Sequence, residues 1–146
     1  MKRYRVWGCI LAAVLLFSQS ACGGGQKKPP SYTGGTELTY EIMTGSAIPY
    51  KINEKIFKEK EKPFQFTYRD QEWMYIAVGY GQQPTGGYSI RVAALLETAE
   101  AIVVETELIA PEAGEVVSPA PSCPYLVLKT GRLDKSVRFL GTPPKE

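Results

Sequence analysis

The sequence predicts an α+β domain, a small, mainly antiparallel β-sheet with one helix packed on it. Three observations predict it. Apolar residues alternate with polar ones, or run continuously over four to eight positions, in most segments after residue 37. One segment instead places its apolar residues at helical spacing among Lys and Glu. The connections between successive strand segments are short, which favours antiparallel pairing, because parallel pairs need long crossovers.

In chain order, Leu38, Tyr40 and Ile42 alternate with Thr39 and Glu41 and predict a first strand. Residues 49–60 predict the helix, lying on the sheet through Ile52, Ile56 and Phe57. Pro49 stands where a first turn tolerates proline. Glu54 precedes Lys58 by four residues, the better orientation for an ion pair, and the lysine-rich face reads as solvated. Phe64, Phe66 and Tyr68 predict a strand that runs into a turn at Arg69-Asp70-Gln71-Glu72. Trp73 to Val78 is a continuous apolar run, rich in strand formers and too short for an ordinary helix. Tyr88, Ile90, Val92, Ala94 and Leu96 fall on one face of a long strand and predict its core side, set against the helix or another apolar layer. Ile102 to Ile109 predicts the next strand, with Glu105 and Glu107 sharing a face that meets water. Tyr125 to Leu128 predicts a strand, and Val137 with Phe139 a last short one.

Both ends of the chain differ from this middle. Lys2, Arg3 and Arg5 precede an apolar run from Val6 to Phe17, and small residues follow. This is the order of a secretory signal peptide. The twelve-residue run would rise only about 18 Å as a helix, short of the roughly 30 Å needed to span a bilayer. Ser20-Ala21-Cys22 resembles the lipobox of bacterial lipoproteins, with Gln19 where leucine is usual. The resemblance implies cleavage before Cys22, a lipid on Cys22, and an exported protein on the outer face of a bacterial membrane or envelope. Residues 1–21 are then the signal, 22–36 a Gly- and Pro-rich linker, 37–141 the domain and 142–146 a tail.

Cleavage changes the charge. It removes three cations and no anions, leaving 14 Lys and Arg against 15 Asp and Glu. The mature chain offers no basic surface of the kind that gathers nucleic acid. Of its three cysteines, Cys9 leaves with the signal and Cys22 carries lipid, so Cys123 alone remains and no internal disulfide forms.

The loop Gly79 to Tyr88 is the most distinctive stretch. Gly81, Pro84-Thr85-Gly86-Gly87-Tyr88-Ser89-Ile90, Pro111, Gly114, Val116 and Pro124-Tyr125 ahead of Leu126-Val127-Leu128 resemble the PrcB C-terminal family over roughly residues 73–130. That family is named for a subunit of a bacterial surface protease complex. The resemblance implies a protein partner, with a protease as the candidate, and suits a lipoprotein. Gln82-Gln83 stands where a charged residue is expected. Gln82, Gln83, Pro84, Thr85, Gly86, Gly87 and Tyr88 form the candidate partner-binding loop. Gly86 or Gly87 is expected at positive φ, Pro84 and Thr85 at the exposed tip, and Tyr88 at a buried strand start. The same loop also reads as a hairpin that only sets strand register.

No catalytic residue, metal site or cofactor is assigned. The sequence contains no histidine, so Ser-His-Asp, Cys-His and histidine-metal sites are excluded. The pairs Asp70/Glu72 and Glu105/Glu107 read as solvated carboxylates. The function expected is a membrane-anchored, non-catalytic interaction module that acts through loops and sheet edges, by strand addition among other modes. A protease inhibitor and a small-ligand-binding envelope lipoprotein remain as alternatives.

Overall fold

The computed structural model describes residues 31–32 and 34–141. The signal, Cys22, most of the linker and the tail lie outside the described residues. Eight strands and one helix follow in order: β1 (Thr36–Glu37), β2 (Glu41–Met43), α1 (Tyr50–Glu59), β3 (Pro63–Arg69), β4 (Trp73–Tyr80), β5 (Ser89–Glu97), β6 (Ala101–Ile109), β7 (Tyr125–Gly131) and β8 (Ser136–Leu140). They form two four-stranded sheets, β1-β5-β6-β8 and β2-β7-β4-β3. The predicted α+β class holds, and its sheet is divided into two facing layers.

The layers follow from side-chain alternation. Met74, Ile76, Val78 and Tyr80 of β4 pack with Leu126 and Leu128 of β7 against Leu95, Ile102 and Val104 of the other sheet. Tyr75 and Ala77 point the opposite way and join Phe64, Val127, Ile48, Ile52 and Ile56 beneath the helix. The apolar run of β4 is therefore continuous because both its faces are covered. Gly79 completes the fit: a Cβ there would lie 2.2 Å from the Phe64 ring.

The helix keeps the predicted position, with Pro49 at its N-cap and a Lys58–Glu54 ion pair of 2.7 Å. Its buried stripe differs. Ile48, Ile52 and Ile56, four residues apart, bury onto the β2-β7-β4-β3 sheet, whereas Phe57 is 62 % exposed with Lys60 Nζ over its ring at 4.7 Å. Phe57 lies about 100° around the helix from Ile56, outside the stripe that touches the sheet. Each buried isoleucine contributes about 1.5–3 kcal/mol.

Two further expectations are corrected, and one strand pair is parallel. The first predicted strand is two strands: the chain leaves β1 at Glu37, crosses over and enters β2 at Glu41 in the other sheet, leaving Ile42 and Tyr40 exposed. Leu38 lies at the crossing, with its N–H on the Leu95 carbonyl at 2.9 Å and its side chain against the core. In β5, the register shifts between Val92 and Ala94. That bulge exchanges the faces, so Ile90, Val92 and Leu95 point inward while Ala94 and Leu96 pair with Glu105 and Val103 on the outer face. The inward set meets the second sheet, and the helix packs on that sheet's far side. The predicted last strand, β8, pairs with β6 in parallel within a sheet system that is otherwise antiparallel. The chain passes through β7 in the opposite sheet before returning, and that detour is long enough for a parallel pair.

The carboxylate pairs also part company. Asp70 accepts the N–H groups of Glu72 at 3.0 Å and Trp73 at 2.7 Å, closing the β3–β4 hairpin. The Trp73 bond holds its pKa below the usual value. Glu105 is buried, not solvated. It accepts the Ser31 N–H at 2.7 Å and the Ser31 hydroxyl at 2.8 Å. Glu107 forms a half-buried ion pair with Arg91 directly across the sheet.

The helix stripe gives a paired prediction. Ile56→Ala should lower stability by about 2–5 kcal/mol by opening a cavity. Phe57→Ala should change it by no more than about 0.5 kcal/mol. Chemical denaturation of both variants checks this, and equal losses would put Phe57 back in the core.

Candidate functional site

Two loops leave the same end of the sandwich. Residues 81–88 connect β4 to β5, and residues 110–124 connect β6 to β7. Tyr80 anchors their base. Its N–H reaches the Pro124 carbonyl at 3.2 Å. Its hydroxyl donates toward the Thr106 carbonyl at 2.8 Å and lies 3.0 Å from the Thr106 hydroxyl, tying one sheet to the other. Burial pushes the Tyr80 hydroxyl pKa up, so it stays a neutral donor there.

From that base the loops zip together. Gln83 and Ser122 exchange both backbone bonds, Gln83 N–H to Ser122 C=O at 2.7 Å and the reverse at 3.1 Å. Ser122 Oγ donates to the Thr85 carbonyl at 2.6 Å, and Gly86 N–H reaches the Ser118 carbonyl at 2.9 Å. Gln83 Nε2 folds back onto the Tyr80 carbonyl at 3.1 Å. Backbone entry is set by Gly81 at φ 73° and backbone exit by Gly87 at φ 84°. A Cβ on Gly87 would lie 2.5 Å from Val117 Cγ1 and 3.0 Å from Pro111 Cβ. Gly87 is thus the glycine expected at positive φ, and its close approach to the second loop leaves no room for a side chain.

The seven candidate residues divide accordingly. Gln82, Pro84 and Gly87 are exposed, while Gln83, Thr85, Gly86 and Tyr88 are half-buried. Pro84 alone has the exposed-tip position expected of Pro84 and Thr85 together. The second loop contributes a residue not included in the candidate set. Val116 is 99 % exposed, beyond a turn with Gly114 at φ 89° and a Glu115 N–H bond to the Glu112 carbonyl at 3.0 Å. An apolar Val116-Val117 pair inside a stretch of Pro, Glu and Gly was the available signal. Val117 wedges against Gly87, and Val116 faces outward. Cys123, half-buried with a free thiol, directly follows Ser122 in the second loop.

The arrangement presents a braced apolar tip. Among the described residues no three Cys, Asp or Glu side chains gather as a metal ion would require. No helix among them is long and apolar enough to cross a membrane.

Gly87→Ala should lower stability by about 1 kcal/mol or more, through both its φ and its contact with Val117. Ser122→Ala should cost about 0.5–1.5 kcal/mol by releasing the Thr85 carbonyl. Thermal melting checks both, and a Gly87→Ala variant as stable as the parent would show that the loop relaxes freely.

No curated protein and no solved structure gives a match to this chain. A family model described as PrcB C-terminal matches residues 74–131, which run from β4 through both zipped loops to the end of β7. Over that segment, the chain is similar to the PrcB C-terminal family.

Proposed function

We propose that this chain is a lipid-anchored interaction module on the outer face of a bacterial membrane, a non-catalytic accessory subunit of an envelope or secreted protease. The observation that carries the reading is the zipped loop pair, which presents Pro84 and Val116 at a tip held by its own backbone bonds. A braced loop loses little freedom on binding, so more of its contact energy appears as affinity. The family match supports a partner of the protease-complex kind, because its segment contains both loops.

The anchor fits the same reading. Eight residues separate Cys22 from Ser31, and the nine steps between them span at most about 32 Å. Ser31 is bonded to Glu105 on the outer face of the β1-β5-β6-β8 sheet, so a lipid on Cys22 holds that face toward the membrane.

One observation favours inhibition as a second reading. The Gln83–Ser122 bridge gives the Gln82 to Gly87 loop the rigidity that an inhibitor loop needs, without any disulfide. The two readings differ in what happens to the protease. An accessory subunit leaves the bound protease active, and an inhibitor silences it.

Cys22→Ala should abolish labelling by a fatty-acid analogue and release the protein from the membrane fraction or leave it as precursor. Persistent labelling would contradict the anchor. Joint replacement Pro84→Ser with Val116→Ser should weaken capture of an envelope protease from native membranes by about tenfold or more, with little change in melting temperature. Unchanged capture would remove the loop pair as the recognition surface.

A further inference from the structure

Four terminal strands bound the two sheets, and they are unequal; β1 covers only Leu96 and Glu97 of β5, whose remaining edge is interrupted by the bulge between Val92 and Ala94. β1 has two residues, β2 three and β8 five, whereas β3 has seven in unbroken register with β4 from Pro63 to Arg69. Short edges are a common protection against unwanted pairing, and a long one is a template for another strand.

The hydrogen-bond parity of β3 follows from its hairpin. Asp70 N–H donates to the Trp73 carbonyl at 3.0 Å, so these residues form a bonded pair. Alternation then makes Tyr68/Tyr75 and Phe66/Ala77 bonded pairs, and Arg69/Met74 and Thr67/Ile76 non-bonded ones. The N–H and C=O groups of Thr67 and Arg69 therefore point away from β4. They have no backbone partner among the described residues. The edge is also held in place. The Arg69 guanidinium donates to the carbonyls of Leu133 at 3.2 Å and Lys135 at 2.6 Å.

Charge selects the occupant. Residues 51–69 carry six Lys and Arg against three Glu, and the remainder of the chain from Cys22 onward carries eight against twelve acidic residues. Lys58 is occupied by Glu54, but Lys55 lies over the Phe66 ring at 4.3 Å and exposed Lys62 immediately precedes β3. This cationic border repels a second copy of the same edge and attracts an acidic strand.

We infer that the open edge of β3 at Thr67 and Arg69 receives an extended acidic segment of a partner protein as an added strand. The inference rests on the interaction-module reading and assigns it a second surface. This edge belongs to the sheet that carries α1, opposite the sheet to which Ser31 is bonded, so a partner approaching it meets no tether.

The test uses the full chain with an acetylated peptide of alternating valine and glutamate, about eight residues long, and its valine–lysine counterpart. The glutamate peptide should slow amide exchange at Thr67 and Arg69 and bind about tenfold or more tightly than the lysine peptide. Thr67→Pro removes only an outward N–H and should lower that affinity about tenfold or more. If Thr67→Pro unfolds the domain, Lys55→Glu with Lys62→Glu serves instead and should reverse the peptide preference. Absence of binding, equal binding of the two peptides, protection at other residues, or unchanged affinity in the folded variants overturns the inference. Photo-crosslinkers placed at residues 67 and 116 of the membrane-bound chain separate the two readings. An adduct at 116 alone overturns the edge and leaves the module, an adduct at neither overturns both, and an adduct at 67 that glutamate peptide competes away supports the edge.

Discussion

The burial of β4 on both faces is the constraint on which the rest of the domain depends. One row of its side chains, Met74, Ile76, Val78 and Tyr80, fills the space between the sheets, while Tyr75 and Ala77 fill the space beneath the helix. A strand covered on both sides cannot slip by one residue, because the slip would exchange the two rows. On the helix side, Ala77 and Gly79 admit Phe64 and the Ile52–Ile56 stripe, and a one-residue slip would put Ile76 or Val78 in their place. Register in β3 and β7 is set from this centre, since both pair with β4 along its length.

The functional end follows from the same strand. β4 ends at Tyr80, whose hydroxyl crosses to Thr106 on β6 and whose N–H meets Pro124 before β7. Those two bonds bring the exits of three strands together. The loops that leave them are near enough for Gln83 and Ser122 to pair, and Gly87 is near enough to Val117 that only a glycine fits. The candidate loop is thus neither a plain hairpin nor a free arm. It is half of a two-loop structure, and the other half contributes the more exposed apolar residue.

Much of the fold was legible because local pattern and tertiary role agree. The Ile52–Ile56 spacing, the Glu54–Lys58 pair and the continuous run of β4 each have one structural solution that local rules identify. The misses share a different cause: they are set by partners far away in sequence. The β5 bulge depends on pairing with β6, and a strand read alone gives no reason to break alternation at Ala93. Glu105 looks like a solvated carboxylate until Ser31, 74 residues earlier, closes over it. The Leu38–Ile42 alternation is present in the sequence, yet the segment crosses between sheets and only Leu38 reaches the core. In the candidate site, Gly87 was readable from glycine chemistry, whereas the outward position of Val116 required the second loop to be seen against the first.

Native-state hydrogen exchange on the folded domain tests the organising role of β4 most directly. Amides of Ile76, Ala77 and Val78, with those of Val127 and Leu128 beside them, should exchange only through global unfolding and be the slowest in the protein. Amides of β1, β2 and β8 should open locally with smaller free energies. Exchange of the β4 amides through local opening, with β5 and β6 still protected, would contradict that role.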